Sequence, residues 1–173
     1  MLHGTSTLYN LKLRIRTSTD FLLDSSLEML PNGALIVDHT GRTNLEDVFA
    51  AGDCAGIPTL FVGSAVFVPL ATGANKLGRV IGDVLAGKNN RYPGTLSSAC
   101  IKVFGVEAGR TGLSERDALS KGIEFKSVLI KDKDHASYWP GPTDIAVKLI
   151  YSPTDKKLLG GQAVRWSGSC TSC

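Results

Sequence analysis

The stretch Lys88-Asn89-Asn90-Arg91-Tyr92-Pro93-Gly94 is polar, then rigid, then flexible, and the hydrophobic pattern changes character across it. A chain of 173 residues can be one ordinary domain or two small ones. This break favours two, residues 1–90 and residues 91–173. Before it, residues 34–38 read as a short strand, and Thr40-Gly41 as a turn. Residues 47–51 read as a second strand running into Gly52-Asp53. A helix is predicted over about 70–86, with Gly87 as its stop.

Beyond the break strands dominate. Residues 99–104 and 107–111 read as a pair, and Ser114 opens a short helix with Asp117 as capping-box partner and Gly122 as stop. Residues 125–131 and 145–151 are the clearest strands. The turn residues Ser152-Pro153-Thr154-Asp155 lead to another over 157–164. The order strand, strand, helix, then strands predicts an α+β unit, an antiparallel sheet with a helix on one face. The predicted fold is thus an α/β segment followed by an α+β domain.

Composition narrows the function classes. Apolar residues are 43% and charged residues 20%, a globular balance rather than a disordered one. The net charge of +3 is spread among interspersed acids and bases, which argues against a nucleic-acid partner. Residues 54–75 carry no charge, yet Gly56, Pro58, Gly63, Pro69 and Gly73 interrupt them. A sheltered loop feeding a helix is expected there, not a membrane span. The first ten residues lack a secretory pattern. The cysteines Cys54, Cys100, Cys170 and Cys173 are too few and uneven for a disulfide scaffold, so a reducing cytoplasm is expected. Cys170-x-x-Cys173 has redox or metal spacing, but no second pair accompanies it, and no metal site is predicted.

The chemistry-bearing stretch is Thr43-Asn44-Leu45-Glu46-Asp47-Val48-Phe49-Ala50-Ala51-Gly52-Asp53. A glycine lets a polar ligand approach the backbone, and a carboxylate at a strand's carboxyl end is where open α/β sheets contact ligands. Asp53 could accept hydrogen bonds from a polyol, or it could simply cap the next turn. The whole string resembles the second FAD-binding motif of the pyridine nucleotide–disulfide oxidoreductases. That resemblance implies that Asp53 binds the ribityl hydroxyl and that Gly52 passes beside the pyrophosphate. Pro69-Leu70-Ala71-Thr72-Gly73-Ala74-Asn75-Lys76-Leu77-Gly78-Arg79 is similar to the family segment where a helix begins under the flavin. It implies backbone contacts from Pro69, Leu70 and Ala71, where helix N–H groups would stabilise negative charge.

Further matches refine the resemblance. Tyr92-Pro93-Gly94-Thr95 and Gly109-Arg110-Thr111-Gly112-Leu113-Ser114-Glu115 are similar to the opening of the family's dimerisation domain. His135-Ala136-Ser137-Tyr138-Trp139-Pro140-Gly141 resembles a tyrosine-bearing loop of coenzyme A disulfide reductases and NADH oxidases. In those enzymes a tyrosine of this domain reaches the partner subunit's disulfide site, a role the resemblance places on Tyr138. Trp139 stands where Tyr is commoner. Aromatic packing in a Pro-Gly turn is the plainer alternative for both, and His135 is expected to be structural.

The resemblance covers about residues 19–165 and implies a FAD-dependent enzyme carrying electrons from NAD(P)H to a small disulfide such as coenzyme A disulfide, or to oxygen. It implies a homodimer formed through residues 95–165. The first FAD motif, the redox cysteine and the NAD(P)H-binding domain have no counterpart here, so the chain is expected to be an inactive piece of such an enzyme. Two alternatives are a non-catalytic dimerisation module without flavin and an unrelated α+β domain with a chance Gly-Asp turn.

Overall fold

The computed structural model describes residues 16–61 and 63–166. The readings made for the first residues and for Cys170 and Cys173 lie outside them. In the first unit β1 (Leu35–Ile36) pairs in parallel with β2 (Ala55–Pro58), which pairs antiparallel with β3 (Ala65–Phe67). Helix α1 (Ala71–Leu85) follows and ends at Gly87, as its sequence predicts. Leu77, Val80, Ile81 and Val84 recur at helical spacing and face one core with Leu35, Val37, Ala50, Ala55 and Ile57.

Two expectations fail in this unit. Residues 47–51 form no strand. Asp47 sits in a turn with φ 58, and the residues after it are tied only locally, through Thr43 N to Val48 O (2.9 Å), Ala50 N to Gly41 O (3.0 Å) and a single Arg42–Phe49 bridge. Thr43 Oγ1 also donates to Val48 O at 3.0 Å. The ladder partner of β1 lies after Gly52-Asp53, because β2 is buried along its whole length and so gains more from a place inside the sheet. For the same reason the charge-free run is a β2–β3 hairpin rather than a loop. No helix among the described residues is long and apolar enough to cross a membrane.

The linker is built into the first unit. Tyr92 is buried in the α1 core, its N–H donates to His39 O, and His39 Nδ1 and Tyr92 O lie 2.7 Å apart. Thr95 continues this with Thr95 N to Pro58 O and Leu60 N to Thr95 O.

The second unit is a five-stranded sheet in the order β4-β5-β8-β7-β6, antiparallel throughout. Its strands are β4 (Ala99–Val103), β5 (Val106–Gly112), β6 (Lys126–Lys133), β7 (Asp144–Tyr151) and β8 (Leu158–Trp166). Helix α2 (Glu115–Ser120) opens on the predicted capping box: Ser114 Oγ accepts from Asp117 N, and the Asp117 carboxylate accepts from Ser114 N. It lies over the face bearing Lys148, Ile150 and Gln162, where Lys148 Nζ meets Glu115 Oε2 at 2.9 Å and Gln162 Nε2 donates to Leu113 O. Ile150 is fully buried there.

Candidate functional site

Gly52 has φ +86, a conformation that favours glycine, and a Cβ built on it would meet no other atom within 4 Å. The space beside this backbone is therefore open. Asp53 follows in the turn, its side chain exposed, and Ala55 N donates to Gly52 O to close the turn into β2. The carboxylate thus stands at the start of β2, not at the carboxyl end of a strand as its sequence predicts.

The β2–β3 pairing sets the chain segments that carry the predicted residues next to each other in the sheet. Gly56 lies opposite Phe67, so one further step of the same register sets Ala55 against Val68. Gly52-Asp53, just before β2, and Pro69-Leu70-Ala71, just after β3, therefore flank the same end of this ladder. Helix α1 starts there with Leu70 as N-cap, no side chain capping it and no acidic residue in its first turn. Its amino-terminal dipole end is free of any built-in anion. An open glycine turn, an exposed carboxylate and an uncapped helix start are suited to a ligand with both hydroxyl groups and an electron-rich edge.

Pro69 and Leu70 also line a cleft of about 520 Å³ between the two units, with Phe61, Val66, Leu96 and Leu113. Asp53 does not line that cleft. A separate hollow of about 320 Å³ lies on the second sheet beside Cys100, Gly109, Ala163 and Arg165, away from these residues. No group of His, Cys, Asp or Glu among the described residues could hold a metal.

Tyr138 lies in the second unit, in the loop joining β6 to β7. It is 87% exposed and Trp139 is 66% exposed, so aromatic packing does not describe them. Beneath them is a cluster that sequence reasoning missed. Asp134, whose side chain is only 7% exposed, accepts Thr143 N (2.9 Å), Thr143 Oγ1 (2.9 Å) and Arg165 Nη1 (2.9 Å), and its Oδ1 lies 2.7 Å from His135 Nδ1. Arg165 Nε reaches on to Glu107 Oε2 at 2.6 Å. The alternation of β6 and β7 could have flagged Asp134 and Thr143 as hairpin-neck partners, but nothing local marks Arg165 as the third member.

The Thr143 backbone N–H, its hydroxyl and the nearby cations hold the Asp134 carboxyl down to about 2. The group's folded pKa lies below its unfolded value near 3.9, so its stabilisation is full above about pH 5 and fades as pH falls towards 2. Around it stand His135, Arg165 and Lys133, with Glu107 on the far side of Arg165. The melting-temperature gap between wild type and Asp134→Asn is expected to narrow steadily from pH 5 to pH 2. A gap of constant size across that range would show that ionisation of Asp134 is not what stabilises the neck.

Comparison with known proteins matches two segments of the chain. The family model described as pyridine nucleotide-disulphide oxidoreductase matches residues 15–74, and that family's dimerisation-domain model matches residues 98–168. The NAD(P)H coenzyme A polysulfide/persulfide reductase of Pyrococcus horikoshii is 39% identical over 132 residues, 76% of this chain and 30% of that protein. An NADH oxidase of Enterococcus faecalis is 30% identical over 85% of this chain and 33% of its own length. Among solved structures, an NAD-dependent persulfide reductase from A. fulgidus superposes with a TM-score of 0.78 at 32% identity, covering 86% of this chain and 28% of that one. The chain spans about a third of the length of the relatives it matches. With both family models matched along its length and an antiparallel second sheet, it belongs to the pyridine nucleotide-disulphide oxidoreductase family.

Proposed function

We propose that this chain contributes part of a FAD site and a dimerisation domain to an NAD(P)H-dependent oxidoreductase acting on a small disulfide, such as coenzyme A disulfide, or on oxygen. The single observation that supports the reading is the antiparallel pairing of β2 and β3, whose shared end is flanked by Gly52-Asp53 on one strand and Pro69-Leu70-Ala71 on the other. Bound there, FAD supplies two-electron transfer between a reduced nicotinamide and the acceptor. Asp53 holds the ribityl hydroxyl, Gly52 leaves room for the pyrophosphate, and the first turn of α1 steadies negative charge at the flavin's pyrimidine edge.

The second unit forms a homodimer through residues 95–165 in this reading, and Tyr138 is presented to the other subunit. Both edge strands support it: Ile101 on β4 and Leu129 and Ile130 on β6 are half exposed or more, an edge that invites another chain. Relatives named as reductases of coenzyme A persulfides and as NADH oxidases support the choice of acceptors.

Flavin binding tests the reading directly. Equilibrium ultrafiltration of FAD with this chain should give saturable binding that Asp53→Ala weakens by about 10- to 100-fold, the loss of one charge-assisted hydrogen bond. Equal affinities in the two proteins would remove Asp53 from the site.

A further inference from the structure

Asp134 sits where β6 and β7 stop pairing and the loop over residues 135–142 begins. The last ladder pair, Lys133 and Asp144, is closed by an ion pair of 2.6 Å. One step further, Asp134 N donates to Thr143 O at 2.9 Å, but Thr143 N turns instead to the Asp134 carboxylate. The side chain thus replaces a ladder carbonyl and ends the sheet. Its second oxygen accepts the Thr143 hydroxyl and Arg165, an anchor on β8, while His135 Nδ1 meets the first. Above this neck the loop is short of internal support: Trp139 N donates to Ala136 O, and Pro140-Gly141-Pro142 complete the return. The two exposed aromatic side chains stand at its tip with no core beneath them.

We infer that Asp134 is a positioning residue: with Thr143 and Arg165 it holds the 135–142 loop in one shape, so that Tyr138 is presented ready-made to a second copy of this chain. This rests on the reading above in one respect, the partner of Tyr138. The rationale is entropic. An exposed aromatic on a mobile loop must have that loop ordered when it docks, whereas a clamped loop has met that cost on folding. Arg165 couples the clamp to the central strand of the sheet, so the tip inherits the rigidity of β8 rather than that of an edge hairpin.

The test uses the full chain with Trp166→Phe, which leaves Trp139 as its sole tryptophan. Asp134→Asn and Thr143→Val are compared with this parent at a dilution where the chain is monomeric. Amide exchange across residues 135–142 should rise at least tenfold in Asp134→Asn, and Trp139 fluorescence anisotropy should fall, with the middle of β7 unchanged. Thr143→Val, which removes only the hydroxyl contact, should move both readings less and in the same direction. It also carries the test if Asp134→Asn fails to fold. Loop exchange that stays at the parent's value, or rises only in step with a global loss of protection, overturns the clamp.

Sedimentation at rising concentration then separates the two layers. Asp134→Asn and Tyr138→Ala should both weaken self-association. If Asp134→Asn frees the loop but association keeps the parent's strength, the positioning role is overturned. If Tyr138→Ala leaves association unchanged, the partner assigned to Tyr138 falls, while loop exchange still judges the clamp.

Discussion

Gly160→Ala is expected to destabilise the second unit by about 3 kcal/mol or more, at or above the upper end of ordinary overpacking. Gly160 lies in β8 opposite Gly112 and Ile150, and a Cβ built on it would fall onto the Leu113 backbone. No rotamer can relieve that collision, because the obstacle is main chain. Leu113 would have to move, and with it would go its hydrogen bond to Leu159 O, the Gln162 contact and the start of α2. Gly161→Ala is the matched control. The nearest atoms a Cβ there would meet are Leu149 Cδ2 at 3.5 Å and Lys148 O at 3.8 Å, ordinary contacts. Thermal melting of the two variants should therefore differ by about 6–12 °C, given about 2–4 °C per kcal/mol at this chain length. Coincident melting curves would mean that α2 can shift on the sheet at little cost.

Leu77→Ala carries the other large effect, a loss of about 2–5 kcal/mol from the first unit. Leu77 is fully buried, and it joins α1 to the segments that hold the candidate site: β1, Ala50 beside the glycine turn, and Ile57 on β2. The cavity left behind is bounded by backbone elements that cannot all collapse into it, which sets the cost above simple transfer of the missing carbons. Leu85, the last residue of the same helix, is 67% exposed, and Leu85→Ala should change stability by no more than about 0.5 kcal/mol. Urea unfolding followed by circular dichroism checks both. A Leu77→Ala midpoint equal to that of Leu85→Ala would show that this core does not govern the stability of the first unit.

Much of this was legible in the chain itself. The α2 capping box, the turn at residues 152–155 and the α1 stop at Gly87 are encoded by neighbours in sequence, so local chemistry was enough to find them. The strand expected over 47–51 went astray because Val48-Phe49-Ala50-Ala51 is apolar enough for a strand, while the competing claim of β2 on β1 depends on burial across the fold. That the segments carrying Asp53 and Pro69–Ala71 flank the same end of one strand pair also needed a long-range fact, the β2–β3 register. Tyr92 was read as linker because its neighbours are polar or turn-forming. Only its contact with a core contributed by distant residues reveals it as part of the first unit. The Asp134 cluster was invisible for a similar reason, since Arg165 arrives from the far end of the second unit.

The place of β8 in the sheet has a kinetic consequence. Among the described residues it is the last strand in sequence, yet it lies in the middle, flanked by β5 and β7. As the chain leaves the ribosome, β4–β5 and β6–β7 can each close as a local hairpin, but nothing joins them until β8 arrives. Until then four strands wait as two half-sheets, each showing the partner edge that β8 will occupy. During that interval a neighbouring nascent chain can offer its own β8 to the same gap, and the central strand becomes the element most easily exchanged between copies.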